Sequence, residues 1–210
     1  MSGFLNDLQR DAVSEIINIA VGQAAAALSQ LVEDEVRLSV PLVHFLTPTQ
    51  AVERLEQETG NGESVAVRQT FRGRFSGDIL LIFPERRSLH LVRGMLGNDM
   101  PVDQLSELER EALLEVGNII LNACLGSLAN QLGLAMESSL PAYLRGRGGH
   151  ILEADAGNLH ARSEIVMFLH VDFALKSKDV HGYLAFVMDI VSAQHFVDAV
   201  HAYVTAGLDP

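Results

Sequence analysis

Cysteine is almost absent from this chain of 210 residues: Cys124 stands alone, so no internal disulfide can form. It sits in an apolar helical pattern and reads as a small buried hydrophobe rather than a reactive thiol. Positive charge is scarce. Lys and Arg number 15 against 27 Asp and Glu, a formal charge of −12. Such a surface repels a phosphate backbone and anionic lipid alike, so no nucleic acid is expected as a partner. Unbroken apolar runs are missing too. The longest are interrupted by Asn18, Gly22 and Gln23, or by Asn118 and Asn122. They fall short of the roughly 18–20 residues of a membrane span. Residues 1–11 are polar and of mixed charge, unlike a secretory leader. Together these absences predict a cytoplasmic protein without membrane insertion. No Ser/His/Asp or Cys/His nucleophile set is legible either.

Composition is that of a globular domain, with 48% hydrophobic and 20% charged residues. The most informative feature present is an internal repeat. Residues 11–41 align with 111–141 without a gap, at an offset of 100. Ala12/Ala112, Glu15/Glu115, Asn18/Asn118, Ile19/Ile119, Leu28/Leu128, Ser39/Ser139 and Pro41/Pro141 are identical. Two copies are too few for a solenoid and point to a duplicated unit with pseudo-twofold symmetry.

The segments after each copy also match in outline. Strands are predicted over 36–43, 64–74 and 77–83, and again over 135–144, 164–175 and 182–188. Short helices are predicted over 87–96, ending at Gly97, and over 192–205. Residues 47–63 read as a loop with one helical turn near 50–58, and 146–158 as a Gly-rich loop. Gly77 and Gly182 open equivalent strands, GDILLIF and GYLAFVM. The expectation is an α+β fold: a helix–strand–strand–strand–helix unit, duplicated, over about 8–100 and 105–207 of a single domain, 1–210. The strands merge into a shared antiparallel sheet region, with two long helices outside it.

On a wheel of about 100° per residue, Glu15, Asn18 and Gly22 fall within roughly 40° of Asp11. Val13, Ile16, Ile17, Ala20, Ala24 and Leu28 fall opposite. In the second copy Leu113, Val116, Ile120, Cys124 and Leu128 face one way. Glu111, Glu115, Asn118 and Asn122 face the other. Each Glu and its Asn are therefore expected side by side on the accessible face, about 4.5 Å apart along the axis. Solvated Glu and Asn are ordinary on a helix. Asn is a mediocre helix former, however, and its placement mid-helix twice at one wheel angle asks for a reason.

The pattern Asp-x-x-x-Glu-x-x-Asn-x-x-x-Gly at Asp11, Glu15, Asn18 and Gly22 resembles the signature of the CheC, CheX and FliY chemotaxis phosphatases. Glu111, Glu115 and Asn118 match its Glu-x-x-Asn core, and the tandem arrangement favours the CheC type. The resemblance implies hydrolysis of the phosphoaspartate on a CheY-like receiver domain. Asn18 and Asn118 would position the attacking water, and Glu15 and Glu115 would pair with a partner lysine. Asp11, Gly22, Glu111 and Asn122 would be partner-binding positions. An acyl phosphate is already reactive, so placing a water in line can supply most of what is needed. No cofactor of its own is implied, Mg²⁺ being expected on the receiver. A CheD-like protein is a second implied partner. The second copy departs from the pattern at Glu111, and at Asn122 where glycine is usual. The alternative function is a non-catalytic binding or scaffold module related to flagellar switch components.

His150, His160, His170, His181, His195 and His201 stand at spacings that form no known ligand set, and no metal site is expected. The stretch from Gly146 to Gly149 lacks the setting of a phosphate loop, although Arg145 and Arg147 are candidate contacts for an acidic partner.

Overall fold

The computed structural model describes residues 5–32, 35–39, 43–60, 62–96, 105–153, 164–175 and 178–206. Helix α1 (Asp7–Val32) is followed by strands β1 (Val36–Ser39) and β2 (Val43–Leu46) and by helix α2 (Pro48–Thr59). The hairpin of β3 (Ser64–Gly73) and β4 (Gly77–Pro84) and helix α3 (Glu85–Leu96) complete the first half. The second half repeats the order: α4 (Leu105–Leu132), β5 (Met136–Ser138), β6 (Ala142–Gly146), α5 (Gly148–Glu153), β7 (Glu164–Leu175), β8 (Lys178–Asp189) and α6 (Ile190–Ala206).

The eight strands form one sheet in the order β1-β7-β8-β4-β3-β5, with β2 also on β7 and β6 also on β3. All pairs are antiparallel. Each half thus lends its two short strands to the other half's hairpin. The order is unchanged when the halves are exchanged, which is the pseudo-twofold symmetry expected from the repeat. The axis runs between β4 and β8, where Leu80 pairs with Ala185. These two are counterparts when Gly77 and Gly182 are equated, as the aligned strands require. A Cβ on Gly77 would strike the Val187 carbonyl, and one on Gly182 would lie 3.1 Å from the carbonyl of Ile82, the counterpart of Val187. Glycine at both positions therefore permits the close central approach.

Strand alternation sends side chains to two cores. Val67, Phe71, Leu81, Met167, Leu169 and Phe186 face α1, α3, α4 and α6. Ala66, Leu80, Ile82, Phe168, Tyr183 and Ala185 face α2 and α5. The apolar stripes predicted for α1 and α4 are buried, each residue at 3% exposure or less. The two helices adjoin, with Ser127 Oγ donating to Gln23 Oε1 at 3.4 Å. By length and composition each could cross a bilayer, yet the apolar side of each packs on the sheet.

Four local predictions need correction. The strands expected over 36–43 and 135–144 are each two strands, the second broken at 139–141, and Pro41 between the first two lies outside the described residues. Residues 47–63 hold a full helix, α2. Thr47 caps it reciprocally with Gln50, Pro48 opens its first turn, and Gly60 ends it at φ 66°. The loop expected from 146 begins with α5, because Ile151 and Leu152 are buried in the core they share with Ala51 and Leu55 of α2. The predicted loop end at Asn158 and the helix stop at Gly97 lie outside the described residues.

Equivalent buried polar residues anchor the starts of the two long helices. Gln9 and Asn6 cap α1 reciprocally, each backbone N–H donating to the other's side chain at 2.9 Å. The counterpart Glu109 of α4, 8% exposed, lies 2.6 Å from Ser88 Oγ of α3. Burial pushes the Glu109 carboxyl above the ordinary range; the Ser88 bond lowers it and Glu85 raises it further. The fold therefore favours the protonated acid. Its stabilising effect is complete below the ordinary carboxylate pKa and is lost as pH rises through the raised value. Glu109→Gln should accordingly melt higher than the parent at pH 8, and the difference should vanish by pH 4 in thermal denaturation.

Candidate functional site

The helix wheel places the Glu-x-x-Asn pairs away from the sheet, and their burial agrees in three of four cases. Glu15, Asn18 and Glu115 are exposed, while Asn118 is half-buried. Asp11, Gly22, Glu111 and Asn122 are also exposed. Each Glu and Asn is held in place because the opposite side of its helix is fixed in the core.

The surroundings of the two pairs differ. A groove of about 670 Å³ runs beside the first, lined by Leu8, Asp11, Ala12, Glu15, Tyr203, Val204 and Ala206. It lies between α1 and the end of α6 and is mainly apolar. Another groove, polar and of about 330 Å³, is lined by Thr70, Arg72, Glu137, Ser138 and Ser139, and neither Glu115 nor Asn118 is in its lining.

Asn118 is tied into a network. Its Oδ1 accepts from Asn122 Nδ2 at 2.7 Å and from Gln69 Nε2 at 3.4 Å. Asn122 Oδ1 accepts from Ser138 Oγ at 3.2 Å, and Gln69 Nε2 also donates to the Ser139 carbonyl at 3.2 Å. An amide oxygen has two lone pairs, so the acceptor capacity of Asn118 is filled. The cause is a close approach of α4 to β3. A Cβ on Gly117 would lie 2.5 Å from the Val67 side chain, so only glycine lets the helix sit so low. In α1 the counterpart is Ile17, fully buried, and the counterpart of Gln69 is Leu169. Position 22 has no side chain to act as Asn122 does.

Sequence reasoning missed Gln69. It is 2% exposed on the core face of β3, and its Oε1 is buried without a partner among the described residues. A lone glutamine among Val65, Val67 and Phe71 was the available signal. Arg145, offered from sequence to an acidic partner, is engaged within the chain by Glu63 at 3.1 Å and Glu85 at 2.7 Å. Cys124 is fully buried, and burial pushes its thiol up to about 12, consistent with an inert core residue.

Two of the histidines do come together. The register of β7 and β8 sets His181 opposite Asp172, and His170 lies two residues before Asp172 on the same strand face. His160 lies outside the described residues. This grouping faces away from α1 and α4, on the side of the sheet that carries α2 and α5.

Comparison with known proteins bears on the family and the fold. The family model for the chemotaxis phosphatase CheX matches residues 65–168, and that for the CheC-like family matches residues 8–44. The CheY-P phosphatase CheC of Bacillus subtilis is 28% identical over 143 residues, 65% of this chain and 66% of that protein. The chain thus spans just under two thirds of that relative. Among solved structures, Thermotoga maritima FliY superposes with a TM-score of 0.69 at 20% identity, over 96% of this chain and 98% of that one. A chain of the FliG–FliM complex from H. pylori superposes with a TM-score of 0.67 at 11% identity, over 92% of this chain and all of that one. The matched models cover residues 8–44 and 65–168, and the fold is shared along nearly the whole length, so the chain is similar to the CheC, CheX and FliY chemotaxis proteins.

Proposed function

We propose that this cytoplasmic protein removes the phosphoryl group from the aspartate of a CheY-like receiver domain. The observation that carries the reading is the recurrence of one Glu-Asn pair at equivalent positions of two helices whose apolar sides are buried, with Glu15, Asn18 and Glu115 exposed and Asn118 half-buried. The similarity to a relative named CheY-P phosphatase supports it. In this reading Glu15 and Glu115 pair with a receiver lysine beside the phosphoryl group. Asn18 and Asn118 reach in and orient the attacking water. Neither amide needs to take a proton, since the acyl phosphate is a good leaving system and alignment dominates the barrier. The Mg²⁺ of the step belongs to the receiver, and no ion of this chain takes part. The apolar groove beside Asp11 and Glu15 gives the receiver a surface to dock on at the first pair.

The decay of a phosphorylated receiver tests the reading. Asn18→Ala with Asn118→Ala should slow catalysed decay by about 100-fold, the usual scale for loss of alignment, with the thermal transition retained. Full activity in the folded double variant would exclude the mechanism. The fold shared with the FliG–FliM chain favours a second reading, a binding module for a receiver or a CheD-like protein. Wild-type protein that binds the phosphorylated receiver and leaves its lifetime unchanged would select that reading.

The filled acceptor of Asn118 makes the two pairs unequal. To accept a bond from water, Asn118 must release Asn122 or Gln69. In the Asn18→Ala background, Asn122→Ala should raise turnover about fivefold, the equivalent of one hydrogen bond of about 1 kcal/mol. Gln69→Leu should act in the same direction. It should also stabilise the fold by about 1 kcal/mol in urea denaturation, because a buried amide oxygen without a partner is removed.

A further inference from the structure

We propose that His170, Asp172 and His181 form a binding site for a divalent transition-metal ion of the Zn²⁺, Co²⁺ or Ni²⁺ class. Three donor atoms converge there. His170 Nε2 lies 3.0 Å from Asp172 Oδ1, His181 Nδ1 lies 2.5 Å from the same oxygen, and the two ring nitrogens are 3.5 Å apart. A tetrahedral ion with bonds of about 2.0–2.1 Å holds its ligands roughly 3.3 Å apart, so small rotations of the three side chains admit the ion. Two imidazoles and a carboxylate suit the borderline transition metals and discriminate against Mg²⁺ and Ca²⁺, which take oxygen ligands.

The site stands on rigid parts. Its ligands come from two paired strands, with Asp172 directly opposite His181 and Ser39 of β1 opposite Asp172 on the other side. Tyr183 meets the His170 ring edge to face at 5.3 Å and restrains it. The three side chains are between 31% and 41% exposed, so an ion can enter from solvent and keep a water as fourth ligand. Duplication does not account for the cluster. The pseudo-symmetric positions hold Thr70, Arg72 and Ser76, which form no ligand set. The cluster arose in one half only and lies on the sheet face opposite α1 and α4. Its occupancy clamps β7 to β8 and is separate from dephosphorylation.

The test uses the untagged full chain, stripped with chelator and titrated with ZnCl₂ against a chromophoric competitor. One Zn²⁺ per chain is expected, with a rise in melting temperature that MgCl₂ does not reproduce. Co²⁺ loading should give the intense visible absorption of a four-coordinate ion. His170→Asn with His181→Asn should weaken Zn²⁺ binding at least 100-fold, and Asp172→Asn should weaken it at least tenfold. Both variants should match the parent melting temperature in chelator to within a few degrees. Should a variant fail that control, the spectrum of Co²⁺ on the parent decides: absorption of imidazole-ligated, four-coordinate cobalt supports the site, and its absence overturns it. Failure of the parent to bind one equivalent, or equal binding by the folded double-histidine variant, overturns the proposal.

Discussion

The antiparallel contact of β4 with β8 is the constraint on which the rest of the molecule depends. It joins the two hairpins at Leu80 and Ala185, and it can be this close because Gly77 and Gly182 present no side chain to the facing carbonyls. Once the hairpins are joined, each exposes an outer edge. An unpaired edge leaves a row of backbone donors and acceptors without partners. The short strands of the opposite half cover those edges, β1 and β2 on β7, β5 and β6 on β3. Neither half can complete its own sheet, so the repeat in sequence is not two independent domains in space. The same crossing brings α1 and α4 onto one face, side by side over one core.

That symmetry is strict in the backbone and loose in the side chains. Three substitutions within the repeat explain the difference between the two Glu-Asn pairs. Glycine at 117 instead of Ile17 lowers α4 onto Val67. Glutamine at 69 instead of Leu169 meets the lowered helix with a polar group. Asparagine at 122 instead of Gly22 closes the network from the helix itself. Each change makes sense only with the others. A glutamine facing a helix propped away by isoleucine would lose its bond to Asn118 and keep only the Ser139 carbonyl, at a cost of about 1 kcal/mol. Among the described residues Gln69 still leaves its Oε1 unmatched, so the network holds Asn118 at some expense to stability. Buried polar groups kept at such expense mark places where position matters more than stability.

Periodicity made the architecture legible. The apolar stripes of α1 and α4, the two long hairpins and the equivalence of Gly77 with Gly182 follow from spacing alone, because each is a local pattern of fixed period. What escaped was decided by tertiary contact. Helix α5 contains weak helix formers and exists because Ile151 and Leu152 are buried beside Leu55. Helix α2 did carry a legible capping box at Thr47 and Gln50, which composition had hidden among polar neighbours. The exposed positions of Glu15, Asn18 and Glu115 were legible; the half-burial of Asn118 was not, since it rests on Gly117 and on a strand far away in sequence. His170 and His181 looked unrelated because ligand motifs are read at helix or loop spacings. A hairpin pairs residues whose separation in sequence depends only on distance from the turn.

Charge sharpens what the proposed partner must supply. A net charge of −12 gives no long-range attraction for an acidic receiver site. At physiological salt that repulsion is screened beyond about 8 Å, so recognition rests on contacts made after encounter. Beside the first pair these are apolar: Leu8 is 52% exposed, Ile19 is 38% exposed, and Tyr203 and Val204 line the adjoining groove. Beside the second, Leu140 stands 89% exposed next to Ser139, whose carbonyl holds Gln69. A partner seated there would press on the segment that helps keep the acceptor of Asn118 filled.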